Sequence, residues 1–293
     1  MKYANLHLHS TFSDGTHTPD SLCRKLVEMG YAACSLTDHQ TASGCRIMAE
    51  TAKKYGLDFI PGMEVYGRFD RFLLHLTGYD FDVTHPAMAE FLRINEESAY
   101  RATKARFEAC IAEGMFGGIT WQNVLDVTEP GAWMCNEQVF LAMVKFAGLT
   151  QKDYWQWIAK YNQPKVDEPV LYPFPAAEEM ITLIRNAGGV PCVAHPHGQT
   201  HLLPALYKAG LMGAEYDHPD IDGEDSAAVV EFAKTHKFYL TGGTDHTGIT
   251  GNNMIRGDLP NRSTIGFIAP LDADVRCGVT QEQFELLKTR ELG

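Results

Sequence analysis

Two imidazoles and a carboxylate stand close together in the stretch Asn5-Leu6-His7-Leu8-His9-Ser10-Thr11-Phe12-Ser13-Asp14-Gly15. Tyr3 to His9 alternates as a strand does. A period of two points His7 and His9 to one side, near enough to share one cation, while Leu8 faces the packing. Ser13-Asp14-Gly15 reads as a turn past the strand end that can swing the Asp14 carboxylate back over the same point. Two strand histidines by themselves could equally be ordinary half-exposed residues.

The same punctuation recurs wherever an apolar run ends. Thr37-Asp38-His39 closes Tyr31 to Leu36, Pro61-Gly62-Met63-Glu64 closes Asp58 to Ile60, and His75 lies within Phe72-Leu73-Leu74-His75-Leu76. Ala194-His195-Pro196-His197 closes Val190 to Val193, and Thr244-Asp245-His246 follows Phe238 to Leu240. Strands that deliver His, Asp or Glu at their carboxyl ends are how α/β barrels and parallel sheets assemble an active site.

The elements that must position these groups alternate through the first part of the chain. Thr18 caps a helix with Pro19 at its first position and Leu22, Leu26 and Met29 on one face. A helix from Gly44 to Lys54, a strand through Ile60 and a hairpin-like pair, Met63 to Tyr66 and Phe72 to Tyr79, complete it. Then the rhythm turns helical: His85 to Glu113, Trp121 to Val127, Glu137 to Ala147 and Gln151 to Tyr161. Residues 80–170 therefore read as an inserted helical subdomain between barrel segments 1–79 and 171–293. Its aromatics Trp121, Trp133, Trp155 and Trp157 are expected to form its core. Strands at Val190 to Val193, Ala214 to Tyr216 and Phe238 to Thr241 alternate with helices at Ala176 to Ala187, Leu202 to Ala209 and Asp225 to Lys234. A last strand is expected at Thr264 to Ala269 and a last helix at Gln281 to Arg290.

With 293 residues, 45% hydrophobic and 21% charged, the chain suits one large core with an insertion better than two independent domains. The formal charge of -12 repels a long polyphosphate backbone, so no long nucleic acid is expected as a partner. Seven cysteines without Cys-x-x-Cys spacing read as free thiols in a reducing cytosol. With no apolar run of membrane-spanning length and no leader-like start, a cytoplasmic location without membrane attachment is expected.

The ordered motifs His7-x-His9, Ser13-Asp14-Gly15, Thr37-Asp38-His39, Pro61-Gly62-x-Glu64, His75 with Thr77-Gly78-Tyr79, Ala194-His195-Pro196 and Thr244-Asp245-His246 resemble those of the PHP (polymerase and histidinol phosphatase) phosphoesterases. In particular they resemble the small stand-alone bacterial type, over nearly the whole chain apart from the insertion. The resemblance implies an α/β fold, a distorted (β/α)7 barrel with an inserted helical subdomain. It implies two or three divalent ions (Mn, Zn or Fe): one on His7, His9, Glu64 and Asp245, a second on bridging Glu64, His75 and His195, a third on Asp14, His39 and a final histidine. Family members read Asp-x-His at the last motif, whereas this chain reads Asp245-His246-Thr247. His246 is expected to complete the third set if the backbone turns there, since a shift of one residue otherwise reverses a side chain's face.

Imidazole and carboxylate sets suit Zn²⁺, Mn²⁺ or Fe²⁺, and ions sharing Glu64 would make hydroxide available near neutral pH and neutralise a phosphate. Hydrolysis of a phosphate ester of a small metabolite is thus expected. His197 could protonate the leaving oxygen or be a surface loop residue. Arg256 could clamp a distal phosphate or be solvated, and His218, following a strand end, is a further candidate for substrate binding. Relatives acting on nucleotides often carry Gly-Arg-Pro-His where this chain reads Trp133-Met134-Cys135-Asn136-Glu137, which favours a sugar phosphate, including a cyclic phosphodiester. The alternatives are a nucleotide phosphatase or short-oligonucleotide exonuclease and, in another class, a metal-binding accessory protein without turnover.

Overall fold

The strands β1 (Ala4–Asn5), β2 (Ala33–Leu36), β3 (Asp58–Phe69), β4 (Phe72–Tyr79), β5 (Val190–Val193), β6 (Gly213–Asp217) and β7 (Tyr239–Gly242) hydrogen-bond in chain order. The computed structural model describes residues 2–150, 153–163, 174–247 and 277–292. Arg256 and the strand expected at Thr264 to Ala269 lie outside the described residues. All strand pairs are parallel except β3 with β4 and β4 with β5, so β4 alone runs against the others. Leu6 N–H donates to Gly242 O at 3.0 Å, Asp245 N–H to His7 O at 2.9 Å and His9 N–H to His246 O at 3.1 Å. The chain beyond β7 thereby lies against the chain beyond β1, and the seven strands form a nearly closed barrel.

Two expected elements differ in detail. The strand foreseen from Tyr3 to His9 has a regular ladder only over Ala4–Asn5, and further on only an isolated bridge, Leu8 to His246. The strand ending at Ile60 and the one starting at Met63 are a single strand of 12 residues. Pro61, which has no N–H to give, falls where β3 leaves β2 (Leu36 opposite Pro61) and begins pairing with β4 (Gly62 opposite Tyr79), so its missing donor breaks no ladder.

The helices are α1 (Pro19–Glu28), α2 (Cys45–Tyr55), α3 (Pro86–Ala112), α4 (Trp121–Leu125), α5 (Asn136–Ala147), α6 (Tyr154–Tyr161), α7 (Ala177–Asn186), α8 (Leu203–Lys208), α9 (Gly223–Thr235) and α10 (Gln281–Thr289). Leu22 and Leu26 of α1 and Met48 of α2 cover Leu36 of β2. Met180, Ile181 and Ile184 of α7 cover Val65 and Leu76 of the hairpin. Ala4, Ala33, Val190 and Tyr239, at the amino ends of their strands, cluster with Phe284 and Leu287 of α10. That cluster closes the foot of the barrel, and each large apolar side chain buried there contributes about 2 kcal/mol. The opposite, carboxyl-end mouth is left for polar groups. No helix among the described residues is long and apolar enough to cross a membrane.

The helices between β4 and β5 share a cluster of their own, with Phe107, Phe140, Trp157 and Tyr161 buried and Trp121 packed against it. The expectation that all four tryptophans fill this core is corrected. Trp155 is exposed, and Trp133 sits at the barrel mouth, where its N–H donates to Phe12 O at 2.9 Å and its ring lies 5.8 Å from that of His39. A backbone bond between distant loops, which no local pattern encodes, sets its position.

Candidate metal centre

At the mouth, the side chain of Glu64 is buried and each carboxylate oxygen faces a different group of imidazoles. Oε1 lies 2.9 Å from His75 Nδ1 and 3.1 Å from His195 Nε2. Oε2 lies 3.4 Å from both His7 Nε2 and His9 Nε2, and 3.0 Å from His39 Nδ1. Asp245 Oδ1 closes the Oε2 group at 2.9 Å from His9 Nε2 and 3.5 Å from His7 Nε2. The hairpin register explains part of this arrangement. His75 pairs with Tyr66 across β3 and β4, opposed residues share a face, and Glu64 lies two residues before Tyr66 on that same face.

These spacings are those of ligands awaiting a cation. Donor atoms held at about 2.1 Å from one ion stand about 3.0 to 3.4 Å apart at octahedral and tetrahedral angles. His7 Nδ1–H donates to Glu215 Oε1 at 2.9 Å, which leaves a neutral His7 with a lone pair on Nε2, pointed at His9 Nε2 3.2 Å away. Glu64 Oε2, His9 Nδ1 and His39 Nδ1 are buried without a hydrogen-bond partner among the described residues. Converging lone pairs in a dry site repel one another unless a proton or a metal ion sits between them. The donors fit divalent ions in two sets: His7, His9, Glu64 and Asp245, then Glu64, His75 and His195.

A third set, His9, Asp14 and His39, also comes together, more loosely, with His39 Nε2 3.8 Å from Asp14 Oδ2. His9 belongs to two sets, yet a neutral imidazole has one lone pair. If its Nε2 serves the first ion, its Nδ1–H faces Asp14 Oδ1, 3.3 Å away, and the third set keeps only Asp14 and His39. The structure places the ring of His246 beside His17, with Nε2 3.3 Å from His17 Nδ1. The parallel bridge of His246 with Leu8 gives it the face that Leu8 has, opposite to His7 and His9. His17 belongs to none of the motifs that deliver the other site residues.

Electrostatics agree with a compensated cluster. Burial opposes ionisation of Glu64, but the imidazoles of His7, His39 and His75 outweigh it and hold its pKa well below the usual range. Asp245 is lowered in the same way, with His7, His218 and His9 prevailing over burial. Burial opposes protonation of His7, yet Glu215, Asp245 and Glu64 raise its pKa well above normal.

Groups around the sets fix them in place. Glu215, midway along β6 and fully buried, accepts from His7 Nδ1–H and, at 2.7 Å, from His195 N–H. Asp38 accepts from Ser10 N–H, Ser10 Oγ and Ser13 Oγ, each at 2.7 Å, and so shapes the turn that carries Asp14. Sequence reading missed both roles: Asp38 entered only as part of Thr37-Asp38-His39, and Glu215 lies within β6, where no strand end marks it. His218 was expected at the substrate. Its side chain is instead entirely covered, with Nδ1 accepting from Asp220 N–H at 3.0 Å and Nε2 3.4 Å from Asp245 Oδ2, a position suited to orienting Asp245. His197 is 43% exposed and its Nδ1 lies 2.7 Å from Asp225 Oδ2.

Backbone strain collects here too. His195, Asp245 and Gln40 have φ of 28°, 51° and 54°, each a conformation that costs about 1 to 3 kcal/mol and that functional sites concentrate. Gly243 passes so close to His7 that an added Cβ would meet His7 N at 2.3 Å. Gly243→Ala is therefore expected to push β7 off the His7 strand and weaken metal binding by tenfold or more, measured by competition with a chromogenic chelator; unchanged affinity would contradict the close approach.

The PHP domain model matches residues 5–194. A phosphoribosyl 1,2-cyclic phosphate 1,2-diphosphodiesterase of Eggerthella lenta is 25% identical over 254 residues, covering 84% of this chain and 95% of the relative. A 3',5'-nucleoside bisphosphate phosphatase of Chromobacterium violaceum is 28% identical over 261 residues, covering 84% and 87%. In fold, the chain is similar to the crystal structure of a protein from Bifidobacterium adolescentis described as a metal-dependent phosphoesterase, with TM-score 0.76, 21% identity and 99% and 96% coverage. A match over well more than half of the sequence, with a seven-stranded barrel whose histidines and carboxylates gather at its mouth, establishes that the chain belongs to the PHP domain family.

Proposed function

We propose that this protein is a metal-dependent phosphoesterase acting on a small phosphorylated metabolite, with two divalent ions held by the His7, His9, Glu64, Asp245 set and the Glu64, His75, His195 set. The observation that carries this reading is the division of Glu64, one oxygen toward each set. Imidazole and carboxylate donors without thiolate suit Mn²⁺, Zn²⁺ or Fe²⁺. Such ions supply Lewis acidity and a water acidic enough to attack phosphorus near neutral pH. The chain's own part is to hold the phosphate against the cluster and deliver a proton to the leaving oxygen. Asp14 and His39 line the same mouth and offer a third, incomplete set.

For the proton we propose His197. Asp225 fixes its Nδ1, and Asp225 is itself held by Gly198 N–H at 2.8 Å and Thr200 Oγ at 3.2 Å, so the imidazole, just past the strand end that delivers His195, is oriented by a buried carboxylate. His197→Gln is expected to cut kcat by about 10² or more for an alkyl phosphate and far less for p-nitrophenyl phosphate, whose leaving group needs no acid. Equal losses on both substrates would refute the assignment.

The names of the relatives bracket the substrate between a cyclic sugar phosphate and a nucleoside bisphosphate. The deciding experiment is release of phosphate or of the alcohol from cyclic and acyclic sugar phosphates and nucleotides by the metal-loaded protein. Full occupancy with no turnover of any ester would overturn the reading in favour of a metal-binding accessory role.

A further inference from the structure

A cleft of about 370 Å³ opens beside the cluster, between the β3–β4 hairpin, α3 and the loop before α5. It falls within the range of about 300 to 1,000 Å³ typical of small-molecule sites. A chain of aromatic rings runs from the metal-site histidines into it. The Tyr66 ring lies 5.1 Å from His39 and 4.6 Å from His75, then 6.3 Å from Trp133 and 5.2 Å from Phe174. Among the described residues, no Lys, Arg, Asp, Glu or His side chain lines the cleft. Burial also keeps the Tyr66 phenol and Cys135 thiol protonated, raising both well above their ordinary values.

Two of the polar side chains in the cleft are engaged within the protein. Asn95 Nδ2 donates to Phe91 O at 2.8 Å and Thr103 Oγ to Met134 O at 3.1 Å. Gln40 differs. It is 3% exposed, lines the cleft, is anchored by its own N–H on Glu64 O at 2.7 Å, and has no partner for its side-chain Oε1 among the described residues. A buried amide oxygen without a donor carries a desolvation cost that a ligand N–H or O–H removes. A bare sugar would leave the faces of the aromatic residues in the lining, Trp133 and Phe174, without a stacking partner. A planar ring covers such faces and can turn a polar edge to Gln40.

The geometry points to this cleft as the seat of the substrate's organic part, a neutral planar ring that stacks on Trp133 and Phe174 and donates an edge N–H or O–H to Gln40. The assignment rests on the phosphoesterase reading for the phosphate end, and it narrows the substrate to nucleoside or aryl phosphate esters, away from the sugar phosphate favoured by the Trp133-Met134-Cys135-Asn136-Glu137 segment.

The test compares kcat/KM for adenosine and inosine 5'-monophosphate and 1-naphthyl phosphate with that for ribose 5-phosphate and glycerol phosphate. Ring-bearing esters are expected to be preferred by about tenfold or more, the scale of one aromatic stack. Trp133→Leu, which removes a wall, and Ala99→Phe, which fills the cleft from α3, should each erode that ratio by a similar factor. The second variant keeps the test valid if the first fails to fold. A wild-type ratio near one, or a ratio that survives both substitutions, would overturn the proposal. Binding of adenosine, which has no phosphate, is followed separately by tryptophan fluorescence of the metal-loaded protein. Binding that both variants weaken, with no ester turned over, would sink the phosphoesterase reading and keep the cleft. No binding and no preference would sink the cleft while leaving hydrolysis of other esters intact.

Discussion

Glu64→Gln is expected to bring the bound divalent metal from two ions per chain to one or none and to lower kcat/KM by about 10³ or more. The size follows from what a bound ion contributes to a phosphoryl transition state, several kcal/mol, at about 1.4 kcal/mol for each factor of ten. The replacement keeps the shape but turns one acceptor into an NH₂. That donor must face either His75 and His195 or His7, His9 and His39, because both oxygens of Glu64 already meet imidazole nitrogens at 2.9 to 3.4 Å. Whichever set it faces loses a lone pair and half a unit of shared negative charge. Elemental analysis beside steady-state kinetics decides the matter: two ions per chain with activity within tenfold of wild type would refute the bridging role.

How far the sequence could be read depended on whether a residue's task was local. His7 and His9 on one strand, Glu64 after Pro61-Gly62 and His195 after an apolar run are legible because period two and strand ends place them without reference to the rest of the fold. His75 is a partial case. It lies mid-strand because β4 runs against its neighbours, so the run around it was legible but its place in the second ligand set came from the resemblance. Where the backbone leaves regular geometry, the period fails. Asp245 adopts a left-handed conformation and His246 follows the face of Leu8 across a bridge that only the closed barrel creates. Trp133 was assigned to the insertion core on composition, while a hydrogen bond to Phe12 O draws it to the mouth. Asp38 acts through the serines of the first motif and Asp225 through the loop after His195, contacts between segments distant in sequence, so their carboxylates looked like ordinary acids.

Glu215 carries the other large expectation, because it is the buried carboxylate on which the orientation of two metal-site residues depends. Its oxygens accept from His7 Nδ1–H at 2.9 Å and from His195 N–H at 2.7 Å, and its pKa is lowered despite burial by His7 and His218. A glutamine there has one acceptor for two donors. If its oxygen serves His195 N–H, its NH₂ meets His7 Nδ1, and relief requires the other His7 tautomer, with hydrogen on Nε2 where the lone pair for the metal belongs. If its oxygen serves His7, the NH₂ opposes His195 N–H at a residue already strained at φ 28°. Either outcome weakens the metal site through groups that never touch the ion, and changes of this kind commonly cost 10- to 100-fold in affinity. Glu215→Gln is therefore expected to lower metal affinity by about that factor while leaving a folded barrel, and Glu215→Ala, which strands both donors in a dry site, should in addition lower the melting temperature of the metal-free protein. Titration with a competing chelator, paired with thermal unfolding before and after metal loading, separates the two effects. If Glu215→Gln binds metal as wild type does, the hydrogen bond from His7 is incidental to how this barrel holds its ions.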